Sequence, residues 1–182
     1  MTPLFLFATV LFGIISAWVF KVHGCNNSLS LSMHVAKSKK TSLVFGIFGT
    51  IATTAAAIVV FSQILPSTNA SLLAYIIFFV LFMQFYVTVL FPHIEGSTIG
   101  SIHNIAAWGM AFNIPVATTA LLFTDLNNAL RILTVATLLV EIVLISIALG
   151  SNIVPKRSNF LYYQLAYVSL FFGYLLILSW NL

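Results

Sequence analysis

The 182-residue chain carries seven Lys or Arg, three Asp or Glu and four His, for a formal net charge of +4. It is 61% hydrophobic and 5% charged, with a mean hydropathy of +1.12, whereas roughly a quarter of residues are charged in a soluble globular protein. This excludes a soluble domain, and the basic balance reads as membrane orientation, not as nucleic-acid binding.

A spanning helix needs about 20 predominantly apolar residues to cross a ~30 Å hydrocarbon core. The sequence therefore predicts one domain, an all-α integral membrane bundle of six transmembrane helices, with spans at residues 2–20, 42–65, 70–91, 102–123, 129–150 and 160–180. The first run is longer than the ~7 to 15 residue core of a signal peptide and reads as a retained span. It ends in Trp18 and Lys21, an aromatic anchor and a cation suited to the membrane boundary.

The first connection holds Lys37, Lys39 and Lys40, and its Leu29, Met33 and Ala36 fall at helical spacing behind Ser28 as a candidate cap, which predicts a short surface helix. Cys25 is the only cysteine, so no intrachain disulfide or paired-cysteine metal site exists. Span two carries a stripe of Gly46, Thr50, Thr53 and Ala57, small side chains that let helices approach closely in lipid. Span three has Gln84 and Thr88 one turn apart.

Most of the uncommon chemistry lies between Phe91 and Pro115, in FPHIEGSTIGSIHNIAAWGMAFNIP. Pro92 and two glycines mark a tight reversal, and Pro115 interrupts the span that follows. Span four gathers His103, Ala106, Ala107, Met110, Asn113 and Ala117 on one stripe, leaving Ile105, Phe112 and Val116 for lipid. Thr134, Thr137 and Glu141 share a face of span five, and Tyr163, Tyr167, Leu170 and Tyr174 line up on span six.

An even number of spans places both termini on one side. The opposite side holds Lys21, Lys37, Lys39, Lys40, Lys156 and Arg157 against Arg131 alone, so the positive-inside rule puts the Phe91–Pro115 turn in the cytoplasm and both termini outside.

Glu141 falls near the bilayer centre, where an ionised side chain costs about 2.5 to 3.5 kcal/mol or more, so it is expected to face the interior. Asn113 reaches similar depth, and a protonated Glu141 donating to it, or to the carbonyl freed by Pro115, satisfies both. A polar line from the turn through Gln84 to Asn113 and Glu141 follows if spans three, four and five are neighbours. It reads as a proton or ligand path, or as hydrogen-bonded helix glue.

His103 and Asn104 open span four, where unpaired backbone donors suit a phosphate or carboxylate. With His93, Glu95 and His34 on the same side they suit a lipid head group, a proton entry or a metal. No HxxxH or HExxH spacing is present, so neither a metal site nor a cofactor is expected.

The motif formed by Phe91, Pro92, Gly96, Gly100, His103 and Asn104, with the Ser28-Leu29-Ser30-Leu31-Ser32 run between spans one and two, resembles the six-helix membrane proteins related to the Frag, DRAM and Sfk group. The resemblance implies a helical bundle concerned with lipid handling or membrane regulation, with no catalytic residues to transfer. It also implies cytosolic termini, opposite to the charge distribution.

The function expected is non-enzymatic binding of a lipid or other amphiphile near His103, with Gln84, Asn113 and Glu141 as polar interior. Its partners are then membrane lipids or a small amphiphile. The alternatives are a proton-coupled small-solute transporter using Glu141, or a membrane enzyme with a histidine-based site.

Overall fold

A computed structural model describes residues 1–94, 96–153 and 159–182, the side chains of 151–153 excepted. Glu95, Lys156 and Arg157, singled out in the sequence, lie outside the described residues. Seven helices and no strand occur among the described residues: α1 (Thr2–His23), α2 (Leu31–Val35), α3 (Lys39–Ser67), α4 (Leu72–Leu90), α5 (Thr98–Leu122), α6 (Asn128–Ile153) and α7 (Phe160–Asn181). All but α2 are long and apolar enough to cross a membrane.

The six long helices form a closed ring. Each packs against the next in sequence, and α1 packs against both α3 and α7. Short connections make sequential antiparallel neighbours the cheapest arrangement. At the end holding both termini, the Thr2 hydroxyl (2.7 Å) and the Gln63 amide (2.8 Å) donate to the Ser179 carbonyl, joining α1 and α3 to the last turn of α7. That carbonyl is one of the acceptors a helix C-terminus leaves unpaired.

The terminus half of the ring is filled. Phe5, Ile64, Phe78, Phe82, Ile114, Leu121 and Phe171 have no more than 2% of their surface exposed and meet in one cluster. Close approach of α3 and α4 depends on Gly49, where an added Cβ would come within 2.7 Å of a Val89 methyl. Before Pro66, α3 widens into a π-helical turn at Val60–Ile64, with the Leu65 N–H donating to the Val60 carbonyl. Pro66 has no N–H to give and its ring crowds the preceding turn, so a wider turn ahead of it relieves the conflict.

Two sequence expectations change. The short helix in the first connection is not on the surface: Leu31, His34 and Val35 are buried, and its cap is Ser30, which accepts from the Met33 N–H at 3.2 Å, not Ser28. Apolar residues at 31 and 35 outweigh the exposed pattern read from Leu29, Met33 and Ala36. The fourth span begins at Thr98 rather than 102, because Ser97 accepts from the Gly100 N–H at 3.0 Å and starts the helix a turn earlier. His103 and Asn104 therefore sit in its second turn, past the free backbone donors.

The reversal between α4 and α5 is tight enough to need two glycines. Gly96 adopts φ 72°, a region open to glycine without steric cost. A Cβ on Gly100 would collide with the Ile94 carbonyl oxygen, a backbone atom that cannot step aside. Gly100→Ala is therefore expected to destabilise the protein by about 2–3 kcal/mol or more, whereas Gly173→Ala, whose Cβ meets nothing, should leave the melting temperature in detergent unchanged or raised. Equal behaviour of the two variants in a thermal melt would contradict this reading.

Candidate functional site

Pro92 drives the residue before it out of the helical region, and Phe91 is extended at φ −102°, ψ 110°. The Phe91 carbonyl then faces inward with no helical partner, and the His103 Nδ1–H donates to it at 2.6 Å. His103 is 3% exposed, with the His93 ring edge-on at 5.6 Å. The Pro-to-His spacing thus has a structural cause: the histidine of α5 closes the broken end of α4.

Pro115 creates the same problem one helix later. Its missing N–H strands the Ala111 carbonyl four residues back, and the Tyr167 hydroxyl of α7 donates to that oxygen at 2.5 Å. The sequence expectation gives this carbonyl to Glu141; Tyr167 takes it instead, because α7 faces the break.

Glu141 is completely buried, as its depth requires. Its partner is Thr118, whose hydroxyl donates to Oε1 at 3.0 Å, and not Asn113. The other oxygen, Oε2, is buried with no hydrogen-bond partner. One to two turns away on the same face Thr137 is buried, and Thr134 shares a 2.8 Å hydrogen bond with the Tyr174 hydroxyl.

Asn113 turns to the other side of α5. Its amide donates to the Ile77 carbonyl at 3.3 Å and the Gln84 Oε1 at 3.4 Å, with Gln84 lying across Gly109. The expected continuous polar line is therefore two separate groups, Gln84 with Asn113 between α4 and α5, and Glu141 with Thr118 between α5 and α6.

His34 has both ring nitrogens committed to backbone. Nδ1–H donates to the Ser30 carbonyl at 2.8 Å and Nε2 accepts from the Asn26 N–H at 3.0 Å, with Phe20 edge-on at 5.3 Å. It holds the first connection folded. Gln164 of α7 completes the anchor by accepting from the Leu31 N–H at 2.9 Å.

These anchors surround a cavity of about 430 Å³ between the first half of α5, the last half of α6 and the first half of α7, roofed by α2 and the α4–α5 turn. Helices α5 and α6 meet at Thr118 and Glu141 and part towards the turn, so the cavity is a wedge. Its upper wall carries His93, His103, Asn104 and Tyr163; its lower wall carries Ala107, Trp108, Leu144, Ile145 and Val168, with Tyr167 near the floor. Glu141 is one helical turn below Leu144 and Ile145 and is not a lining residue. Among the described residues no Asp or Glu lines the cavity, and no group of three or more His, Cys, Asp or Glu stands close enough to hold a metal.

The cavity thus brings together His93, His103 and Asn104 and leaves out Gln84, Asn113 and His34. It lies on the opposite side of the fourth span from the expected interior between spans three, four and five. Gln164 and Trp108, which line the cavity, and Thr118, the partner of Glu141, are residues that the sequence reading misses, whereas Tyr163 is among the tyrosines it places on one stripe of span six. Thr118 continues the inward stripe of span four by one residue past Ala117, which is the available signal; nothing in the spacing marks Gln164.

No family model, no curated protein and no solved structure matches this chain.

Removing the Tyr167 hydroxyl strands the Ala111 carbonyl in a water-poor interior. Tyr167→Phe should cost about 1–3 kcal/mol. In a Pro115→Ala background, where the substituted residue supplies its own N–H to that carbonyl, the same change should cost a few tenths. A double-mutant cycle by denaturant titration in detergent reads the difference, and equal costs in both backgrounds would refute the assignment.

Proposed function

We propose that this protein binds a lipid or other amphiphile, without catalysis, in the wedge between α5, α6 and α7. The observation that carries the reading is the distribution of chemistry along the cavity. Polar groups of His93, His103, Asn104 and Tyr163 gather at the end near the α4–α5 turn, and alkyl and aromatic surface follows towards Tyr167. Its volume of about 430 Å³ falls within the ~300–1,000 Å³ usual for small-molecule sites. A solute wholly polar would leave the lower wall in contact with nothing it can use; a hydrocarbon would leave the upper donors unpaired. The Frag, DRAM and Sfk resemblance, with its link to lipid handling, agrees with this reading and is itself proposed.

Native mass spectrometry of the protein extracted from membranes tests it. One amphiphile per chain is expected to survive detergent removal in the gas phase, and Ala107→Phe, which fills the lower wall, should lose it while melting like the parent. Absence of any adduct, or an unchanged adduct in a well-folded Ala107→Phe variant, would refute the proposal.

A second reading is favoured by Glu141 alone. A fully buried carboxyl with one unpartnered oxygen directly below a cavity suits a proton site in a coupled transporter. Undiminished pH-dependent uptake by Glu141→Gln vesicles would remove it.

The charge distribution further proposes that the cavity end faces the cytoplasm. Cys25 is exposed at that end and is the only thiol, so the native protein reports its own orientation. A membrane-impermeant maleimide should label Cys25 only after the cells are permeabilised; labelling of intact cells would reverse the orientation.

A further inference from the structure

We infer that the occupant is a single-chain amphiphile with an anionic head, a carboxylate or phosphate, held against His93, His103 and Asn104. The inference rests on the amphiphile reading and adds the class of ligand.

The chain count follows from size. From Ser97 to Ala111 the cavity wall runs about 20 Å along α5 at 1.5 Å per residue, a little more than one leaflet's half of a ~30 Å hydrocarbon core. A volume of about 430 Å³ spread over that length leaves a narrow slot, wide enough for one alkyl chain and too small for two side by side.

The sign of the head follows from which groups remain free. The Asn104 side chain and the Tyr163 hydroxyl make no hydrogen bond among the described residues, although both line the cavity. His103 spends Nδ1–H on Phe91, so Nε2 is the nitrogen left towards a ligand, and in that tautomer it is an acceptor. His93 is half-buried beside it, and the ring contact is what it makes among the described residues. Asn104, Tyr163 and His93 each offer an N–H or O–H, His103 offers the Nε2 lone pair, and no described carboxylate opposes them. An acidic head fits this set: its O–H donates to Nε2, or its proton passes there, and its remaining oxygens accept from Asn104 and Tyr163, in bonds about twice as strong as neutral ones when the oxygen is charged.

Two features of longer range act in the same direction. The first turn of the 25-residue helix α5 borders the upper wall through Ser97 and Gly100, and a helix start carries partial positive charge. Exposed Lys37, Lys39 and Lys40 stand at the same end of the bundle, where they raise the local concentration of anions. Glu95 is the one acid of that end in the sequence, and its contribution is part of the test.

The probe is tritiated oleate, added to purified protein in a nonionic detergent and separated by rapid gel filtration. Saturable binding of one oleate per chain is expected. Unlabelled oleate or oleyl phosphate should displace it at about tenfold lower concentration than oleyl alcohol, which has the same chain without the charge. Preference between the first two assigns carboxylate or phosphate. Combined His93→Gln and Asn104→Leu, which leave the Phe91 contact of His103 intact, should bring acid and alcohol within about twofold of each other, and Glu95→Gln should keep the preference for the acid.

Equal displacement by acid and alcohol in the parent overturns the anionic head. A preference untouched by the His93/Asn104 variant, in protein that melts like the parent, overturns the site. If oleate fails to bind while native mass spectrometry still finds an adduct, this inference falls alone; if both are negative, the amphiphile reading falls with it.

Discussion

Hydrocarbon cannot hydrogen-bond, so every backbone group that a helix fails to satisfy must be met from inside the protein. This constraint accounts for most of the polar contacts in the bundle. Pro92 frees the Phe91 carbonyl and His103 meets it. Pro115 frees the Ala111 carbonyl and Tyr167 meets it. The start of α2 offers the Leu31 N–H to Gln164, and the end of α7 offers the Ser179 carbonyl to Thr2 and Gln63. In each case a side chain from a neighbouring helix repairs a defect, and the repair fixes how the two helices lie.

The cavity is a consequence of where those repairs fall. Helix α5 is held to α4 by the His103 contact at its start and to α7 by the Tyr167 contact at its centre, while α6 touches it at Glu141 and Thr118, below the centre. Above that point small residues such as Ala107 and Ala111 leave space. The filled terminus half and the open half thus differ by contact chemistry along the same helices. Glu141 marks the boundary: paired through one oxygen and orphaned at the other, it is the single buried carboxyl among the described residues.

Much of the fold is legible in the sequence because hydropathy over twenty residues is a strong, additive signal. Six spans, the closing of Thr134, Thr137 and Glu141 onto one buried face, and the outward turn of Ile105, Phe112 and Val116 all follow from period and composition. Partner choice is not legible. Period shows that Asn113 and Glu141 both leave the lipid, but not that Asn113 turns towards α4 and Glu141 towards Thr118, because that depends on rotations of α5 and α6 set by distant contacts. The burial of α2 is hidden for a different reason: a five-residue helix is too short for its pattern to outweigh the serines and lysines around it. His93, His103 and Asn104 are legible as one cluster since the turn itself holds them together, whereas His34 is grouped with them only by side of the membrane.

The central claim is that polar repairs seat α5 against α4 and α7 and leave a space beside α6, and, as proposed, that a chain-like molecule occupies it. An experimental structure of the protein in a lipid nanodisc, resolved well enough to see side chains, tests it most directly. The account expects elongated density running from His103 and Asn104 down to Tyr167, with the Tyr167 hydroxyl still on the Ala111 carbonyl. Leu144 and Ile145 packed directly against Ala107 and Ala111, with no room between them, would contradict it.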